Sequence, residues 1–361
     1  MIQTTADATA EATVTSESVD AGFEQRLIEG VRPISEHFLA MALHHLFDTG
    51  LYDCLEQESH STVQSLATAL DLDADRLEGF LRYLANEGVV HWEEEEVSLG
   101  DKGRLYASAR PWYTMLIGGY ASTVAQMGHA LRRDAPSCTR DGRYVGMGSC
   151  EISRFDGMPI TRNLLGSVGA SCRELLDLGC GNGLYLTELC HTMPGLRAWG
   201  AEPDVGGYRD AIALVSSAGM NDRVHLANRS ANEFLEDPPP GCQPDLVVFG
   251  YVLHEILGQQ GDDAVVELLR NVVRRFPDIN VVVIEVAAEI DNPSVMRHGL
   301  ARNYWNPYYL LHYFTRQRLE KEPFWDALFT RAGLRTLARA TTDRRVDSTG
   351  VELGYLLRGA G

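Results

Sequence analysis

The sequence has little positive charge, no paired-cysteine motif and no long apolar run. It holds 32 Lys and Arg against 50 Asp and Glu, a formal net charge of -18. Without a basic run, a nucleic-acid partner is not expected. The 7 cysteines are scattered without a CxxC spacing, which argues against a disulfide framework or a zinc site and favours reduced thiols. No apolar stretch is long enough to cross a bilayer. We therefore expect a cytoplasmic protein, without a membrane partner, that acts on a small molecule.

The length of 361 residues is enough for two domains. Residues 1–20 are polar and lack the features of a signal peptide, and they are predicted to be a disordered tail. Residues 21–110 are predicted to form a helical, winged-helix domain, and 111–170 a helical linker or cap. The remaining segment, 171–361, is predicted to be the catalytic domain.

The predicted winged helix is not expected to bind DNA. Its hairpin carries four glutamates, at positions 93–96, and these would repel phosphate. The helix that precedes it begins at Phe23 and repeats apolar residues at spacings of three and four, so it is too apolar to stand alone in water. These patterns favour dimerisation as the role of residues 21–110.

The segment 141–152 contains three glycines among small residues. It is predicted to be a tight loop that something approaches closely, with a plain connecting turn as the alternative.

From Glu174 onward, apolar runs alternate with helical patterns, which is typical of a parallel sheet covered by helices on both faces. The fold class is therefore α/β, a doubly wound sheet. Strands are predicted at 175–178, 198–202, 224–227, 245–250 and 281–286, and a late antiparallel strand at 351–357.

A glycine-rich turn follows the first of these strands. Gly179, Gly181 and Gly183 let a ligand approach the backbone at the carboxyl edge of the sheet. Asp177 lies within the strand and can accept a hydrogen bond from an ammonium group. Glu202 ends the second strand and can accept both hydroxyls of a ribose. This combination suits an adenosine with an amino-acid tail better than a diphosphate, with an NAD site as the alternative.

These residues resemble the class I S-adenosylmethionine-dependent methyltransferases, which have a Rossmann-like fold. The resemblance covers roughly residues 172–290 and implies S-adenosyl-L-methionine as cofactor. It implies cofactor contacts by Asp177, Gly179, Gly181, Asn182, Glu202 and Gly250. The chain departs from the family pattern after the third strand, where many members place an acid that contacts the adenine. Ser230 or Asn228 occupies that position here.

The whole chain is similar to small-molecule methyltransferases with an N-terminal winged-helix dimerisation domain. The resemblance implies a homodimer. It is carried by residues 252–257, which follow the fourth strand and include His254 and Glu255. In the O-methyltransferases of that group this histidine is the general base, so the resemblance implies a catalytic role for His254. Glu255 and Glu289 are the candidates for a carboxylate that orients it, and Glu255 is the predicted catalytic residue of the two. A buried structural histidine is the alternative.

A second histidine, His312, lies in an aromatic cluster at 304–314. If His254 and His312 converge, they could bind Fe(II), and an α-keto acid could chelate that metal. This arrangement resembles the bacterial α-keto acid C-methyltransferases. Segments 23–29, 46–52 and 146–152 resemble the branch that acts on 2-ketoarginine, which implies methylation at C3 of 5-guanidino-2-oxopentanoate. A guanidinium needs a carboxylate partner, and the candidates are Glu151, Asp156, Glu255 and Glu289.

Three other functions stay open on the sequence. The first is a metal-free O- or N-methyltransferase in which His254 alone is the base. The second is a cyclase that converts S-adenosylmethionine to azetidine-2-carboxylate in a tight aromatic pocket. The third is a non-enzymatic regulator with a vestigial cofactor site.

Overall fold

The computed structural model describes residues 22–58, 60–167 and 172–360. The predicted disordered tail, 1–20, lies outside the described residues. Among the residues described, no helix is both long and apolar enough to span a bilayer. All seven cysteines are free thiols.

The first part of the chain is mostly helical. Its helices are α1 (Phe23–Asp48), α2 (Leu51–Gln57), α3 (Val63–Leu70), α4 (Ala74–Asn86), α5 (Asp101–Ala107), α6 (Arg110–Trp112), α7 (Ala121–Ala130), α8 (Gly142–Ile152) and α9 (Gly157–Ser167), with a π-helical segment at Tyr113–Gly118. A small antiparallel sheet of β1 (Ser61–Thr62), β2 (Val90–Glu93) and β3 (Glu96–Leu99) has the order β1-β3-β2. The predicted hairpin is therefore present, with its acidic tip between β2 and β3. The division at 21–110 and the dimerisation role stay predictions.

The segment 141–152 is a helix, α8, so the predicted tight loop is wrong. Asp141 begins the helix by accepting hydrogen bonds from the backbone amides of Arg143 and Tyr144. A Cβ on Gly148 would lie 2.7 Å from the carbonyl oxygen of Pro111. The glycines therefore allow close helix packing, which outweighs their low helix propensity.

The second part of the chain forms a seven-stranded sheet of order β6-β5-β4-β7-β8-β10-β9. Its strands are β4 (Glu174–Leu178), β5 (Arg197–Ala201), β6 (Val224–Ala227), β7 (Leu246–Gly250), β8 (Asn280–Val286), β9 (Leu334–Ala340) and β10 (Glu352–Gly359). The first five strands are parallel, and β10 pairs antiparallel with both β8 and β9. This sheet confirms the predicted α/β doubly wound fold and its late antiparallel strand.

Helices cover both faces of the sheet. They are α10 (Leu184–Thr192), α11 (Val205–Ser217), α12 (Ala231–Glu236), α13 (Leu253–Gln260), α14 (Asp262–Arg275), α15 (Pro293–Met296), α16 (Asn306–Phe314) and α17 (Glu322–Arg331), with a π-helical segment at Ala301–Trp305. Every residue of β8 is buried, because helices pack on both of its faces. Because β4, β5 and β7 are parallel, their carboxyl ends meet at one edge of the sheet, next to α8.

Candidate active site

The glycine turn after β4 adopts a left-handed backbone conformation that favours glycine. Gly179, Gly181 and Gly183 have φ angles of 104°, 54° and 73°. A Cβ on Gly179 would lie 2.6 Å from Cγ2 of Val252, and one on Gly181 would lie 3.0 Å from Sγ of Cys150. Any side chain here would therefore combine backbone strain with an overlap.

Two carboxylates flank this turn, the buried Asp177 and the half-buried Glu202. Glu202, which follows β5, accepts hydrogen bonds from the backbone amides of Gly181 at 2.9 Å and of Asp204 at 2.8 Å. Burial raises the pKa of Glu202. Burial and then the charge of Glu202 raise the pKa of Asp177 to about 8. Two desolvated acids of this kind favour a cationic ligand.

Most of the predicted cofactor residues line one cavity of about 1510 Å³. The residues that it shares with the prediction are Gly179, Gly181, Asn182, Glu202, Ser230 and Gly250. We call this space the cofactor cavity. Asp177 lines a smaller adjoining cavity of about 370 Å³, together with Gly179, Gly250 and Tyr251. Helix α8 borders both cavities through Ser149 and Cys150.

The two residues considered for the adenine position differ in the structure. Ser230 begins α12, where its hydroxyl accepts a hydrogen bond from the amide of Glu233 while the Glu233 carboxylate accepts from Ser230. The side-chain amide of Asn228 donates to the carbonyl oxygens of Glu202 and Pro203. Only Ser230 lines the cofactor cavity.

His254 lies near the start of α13, where a carboxylate from the sheet holds it. Its Nδ1 lies 2.7 Å from Oε2 of Glu285, and its backbone amide donates to Oε1 of Glu285 at 3.1 Å. Nε2 lies 3.3 Å from the side-chain nitrogen of Gln317, which can donate only. These partners assign the proton to Nδ1 and a lone pair to Nε2. Although burial lowers the pKa of His254, the charge and hydrogen bond of Glu285 raise it overall.

His312 approaches His254 from α16. The two ring centroids are 5.4 Å apart. Nδ1 of His312 lies 2.8 Å from the carbonyl oxygen of Tyr308, while its Nε2 is buried and has no hydrogen-bond partner. Burial, and then the charge of His254, hold the pKa of His312 well below its ordinary value. His312 is therefore neutral with an available lone pair.

Glu255 lies between the two histidines and the cofactor cavity. Its carboxylate forms an ion pair of 2.7 Å with Arg140 and accepts a hydrogen bond of 3.2 Å from Gln317. It contacts neither imidazole through a hydrogen bond; the carboxylate that orients His254 is Glu285.

A second cavity, of about 450 Å³, contains the histidines, and we call it the substrate cavity. Its walls are aromatic, and three acids, Asp156, Glu255 and Glu352, lie in its lining. It shares Val145, Ser149, Tyr251 and Glu255 with the cofactor cavity. Tyr251 has a φ of 58°, an uncommon conformation for a residue other than glycine, at the point where the two cavities meet.

His254 and His312 are compatible with a metal ion, since each offers an Nε2 lone pair and Glu285 supports His254 from behind. They supply only two donors. In the described part of the chain, the one cluster of three potential ligands is His44, His45 and Asp48, on α1. The histidine pair would thus leave other coordination positions to the substrate.

Sequence reasoning missed several residues of the site: Arg140, Tyr251, Glu285, Gln317 and Glu352. Two of them carried a signal. Glu285 and Glu352 are acids within otherwise apolar strands, where an unpaired charge is costly, so each calls for a functional or electrostatic reason.

No family model matches the chain. Among curated proteins, the 2-ketoarginine methyltransferase of Streptomyces arginensis is 42% identical over 340 residues, covering 94% of this chain and 98% of that protein. The indolepyruvate C-methyltransferase of Streptomyces griseus is 26% identical over 240 residues, covering 66% and 69%. Human N-acetylserotonin methyltransferase, solved with S-adenosylmethionine, has the same fold with a TM-score of 0.65 and 16% identity, covering 96% of this chain and 100% of that chain. The chain therefore belongs to the family of 2-ketoarginine methyltransferase, within the class I S-adenosylmethionine-dependent methyltransferases.

Proposed function

We propose that this protein transfers the methyl group of S-adenosylmethionine to C3 of an α-keto acid, with 2-ketoarginine as its substrate. One observation carries the proposal: the cofactor cavity opens beside a buried pair of histidines, in a chain 42% identical to a 2-ketoarginine methyltransferase. Residues shared by the two cavities, such as Tyr251 and Glu255, mark where the methyl group would cross.

The glycine turn and its two acids would bind the cofactor. Asp177 would accept a hydrogen bond from the ammonium group of the amino-acid tail, and Glu202 would accept from the ribose hydroxyls. Both oxygens of Glu202 already accept one backbone hydrogen bond, and each has a second lone pair for this purpose. Asn182 and Gly250 would line the path of the ligand, and Ser230 would lie beside the adenine.

In the metal-free form of the reaction, His254 would be the general base. Its Nε2 takes the proton from C3 of the substrate, and the electron pair of that C–H bond forms the enolate. C3 then bonds to the methyl carbon as the bond from that carbon to sulfur breaks, which leaves S-adenosylhomocysteine. Glu285 fixes the imidazole tautomer and stabilises the imidazolium that forms.

In a metal-bound form, the Nε2 atoms of His254 and His312 would hold Fe(II), and Nε2 of His254 would then not remove the proton. When bound, the metal would act as a Lewis acid on the carboxylate and ketone oxygens of the keto acid. The alternative is a metal-free reaction with His254 as the base. The small donor set of two imidazoles favours this alternative.

We also propose that the protein is a homodimer in the cytoplasm. One face of α1 exposes a row of apolar side chains: Phe23, Leu27, Ile28, Val31, Ile34 and Phe38. A largely apolar groove of about 1730 Å³, lined by Trp112, Tyr113, Leu116 and Leu310, lies beside the substrate cavity. Burial of this much apolar surface against a second copy would stabilise both chains. Light scattering at increasing concentration measures the oligomeric state.

The main experiment uses isotopically labelled S-adenosylmethionine with 2-ketoarginine, indolepyruvate and phenylpyruvate, with added ferrous ion or with excess chelator. The expected product is 2-ketoarginine labelled on a methyl group at C3, with S-adenosylhomocysteine in equal amount. Label on oxygen or nitrogen would contradict C-methylation. Release of methylthioadenosine without a second substrate would indicate cofactor cyclisation. Full activity with excess chelator would rule out a metal requirement and support the metal-free reaction with His254 as the base.

A further inference from the structure

Two buried acids in the substrate cavity have no basic partner. Asp156 and Glu352 are 5% and 3% exposed. Glu352 accepts hydrogen bonds from the hydroxyls of Tyr251 and Thr342, and Asp156 accepts one from the amide of Gly157. The two acids also form a hydrogen bond with each other, and Asp156 forms one with the Tyr251 hydroxyl. Within the described ranges, neither acid forms an ion pair with Lys, Arg or His. Two carboxyl groups buried side by side cannot both be ionised at low cost, so they either share a proton or bind a cation.

The charge state of the pair reflects this cost. Burial raises the pKa of Asp156 to about 6. Burial, and then the charge of Asp156, raise the pKa of Glu352 well above its ordinary value. In the free protein the pair therefore keeps a proton near neutral pH, which a bound cation would displace.

Elsewhere in the same cavity, a different group also lacks a partner. Nε2 of His312 is buried and makes no hydrogen bond. Aromatic side chains, including Tyr304 and Tyr308, line the cavity together with His312 and the acid pair. A cavity with one free imidazole nitrogen, two acids that form no ion pair among the described residues, and aromatic walls suits an elongated ligand with an anionic group at one end and a cationic group at the other.

The other acids considered from the sequence are less suitable. Glu255 is already paired with Arg140. Glu289 accepts a hydrogen bond from Asn292, and neither it nor Glu151 lines the cavity. Asp156 is the one of the four that lines the cavity without a cationic partner, and Glu352 adds a second carboxylate beside it.

We propose that Asp156 and Glu352 bind the guanidinium of the substrate and select guanidino α-keto acids over neutral ones. The inference rests on the proposed function, since it assigns a specificity site within the proposed reaction. A guanidinium stays charged at all working pH values and presents a planar set of donors that matches two carboxylates. The keto-acid group would then lie toward His254 and His312.

The test compares 2-ketoarginine with 5-ureido-2-oxopentanoate, whose ureido group has nearly the same shape as the guanidinium and no charge. Wild-type protein should prefer the guanidino acid in kcat/KM by about 30-fold or more. Glu352→Gln and Asp156→Asn should each reduce this preference to about threefold or less. The change should come mainly from a higher KM for the guanidino acid, because its guanidinium loses a carboxylate partner, whereas the neutral ureido group has no charge to pair. Glu174→Gln is the matched control: Glu174 is a buried acid at the start of β4 that lines neither the substrate cavity nor the cofactor cavity, so the preference should persist.

The outcomes separate the two proposals. If wild-type protein methylates neither acid, the proposed function fails and the guanidinium site with it. If it methylates both acids equally well, only the guanidinium site is overturned, and no variant is needed to reach that result. Equal loss on both substrates in the Gln and Asn variants, with unchanged binding of S-adenosylhomocysteine, also overturns it.

Discussion

The cofactor cavity and the substrate cavity are built in different ways. The cofactor cavity contains one stretch of backbone with two glycines, residues 179–182, beside Glu202, Ser230 and Gly250. The substrate cavity depends on side chains from distant parts of the chain: Gln317 reaches His254 across 63 residues, and Arg140 reaches Glu255 across 115. The glycine turn has no room for an added side-chain atom at Gly179, whereas in the substrate cavity one side chain can be replaced while the others keep their roles. The following predictions test that difference.

The largest effect is expected at Gly179. Gly179→Ala places a Cβ 2.6 Å from Val252 at a φ of 104°, so the turn must move. The affinity for S-adenosylhomocysteine should fall by about 100-fold or more, as expected when about 3 kcal/mol of binding energy is lost. Calorimetry measures this Kd.

Gly195→Ala is the matched control for Gly179. Gly195 also has a positive φ, 93°, but nothing lies within 4 Å of its Cβ position. It should cost about 1 kcal/mol in unfolding free energy through strain alone and leave the Kd unchanged. An equal loss of affinity in both variants would mean that strain, and not the shape of the cavity, controls binding.

The next effect tests whether one side chain of the substrate cavity can be changed without altering cofactor binding. In the wild type, the charge of Glu285 orients His254 and raises the pKa of its imidazole, and Glu285→Gln removes that charge. We expect kcat to fall by about 10- to 100-fold, while the Kd for S-adenosylhomocysteine stays the same. Because the pKa of the base falls, the acidic limb of the kcat/KM profile should move to lower pH.

Glu188→Gln provides the comparison for Glu285, since Glu188 pairs with Arg154 outside both cavities. Its profile should match that of the wild type. If Glu285→Gln lowers kcat without moving the pH profile, Glu285 would have a packing role only.

The same difference explains which parts of the site could be predicted from sequence. The turn at 177–183 and Glu202 follow a short local pattern, so their position at one sheet edge could be predicted. Glu285 and Gln317 reach His254 only through the tertiary fold, and no local spacing indicates that contact. These contacts with His254 form only when the strands and helices have assembled around α13.

Two elements of the fold were missed for a related reason. Strand β9 was not predicted because it lies at the sheet edge and carries Arg335 and Arg339, which dilute its apolar pattern. Helix α8 was predicted as a loop because its three glycines disfavour helix, and the packing that stabilises it comes from Pro111 and Met115, more than 30 positions earlier. Local propensity gave way to tertiary contact in both cases.

A smaller effect is expected from the ionisation of Asp177, next to the glycine turn. The pKa of Asp177 is about 8 in the folded protein, against 3.8 for an ordinary aspartate. Between these values the folded state binds more protons than the unfolded state, so its contribution to stability declines as pH rises from about 4 to 8. Asp177→Asn should therefore gain stability relative to wild type between pH 6 and pH 8, by about 1–2 kcal/mol. Denaturant unfolding of the ligand-free protein at both pH values measures the difference.

An unchanged difference between wild type and Asp177→Asn at pH 6 and pH 8 would show that Asp177 is already ionised in the free protein. In that case its carboxylate would bind the cofactor without releasing a proton. Calorimetry in buffers with different ionisation enthalpies gives an independent count of that proton.

The smallest effect is expected at Ser230, where helix capping and ligand binding can be separated. Ser230 and Thr62 both begin a helix with a reciprocal capping box, to Glu233 and Ser65. Replacing either by Ala should cost about 1 kcal/mol of unfolding free energy. Only Ser230 lines the cofactor cavity, so only Ser230→Ala should also raise the Kd for S-adenosylhomocysteine, by about twofold to fivefold. If Ser230→Ala and Thr62→Ala leave the Kd equally unchanged, Ser230 supports the cavity solely through α12, and the adenine is held by backbone and shape alone.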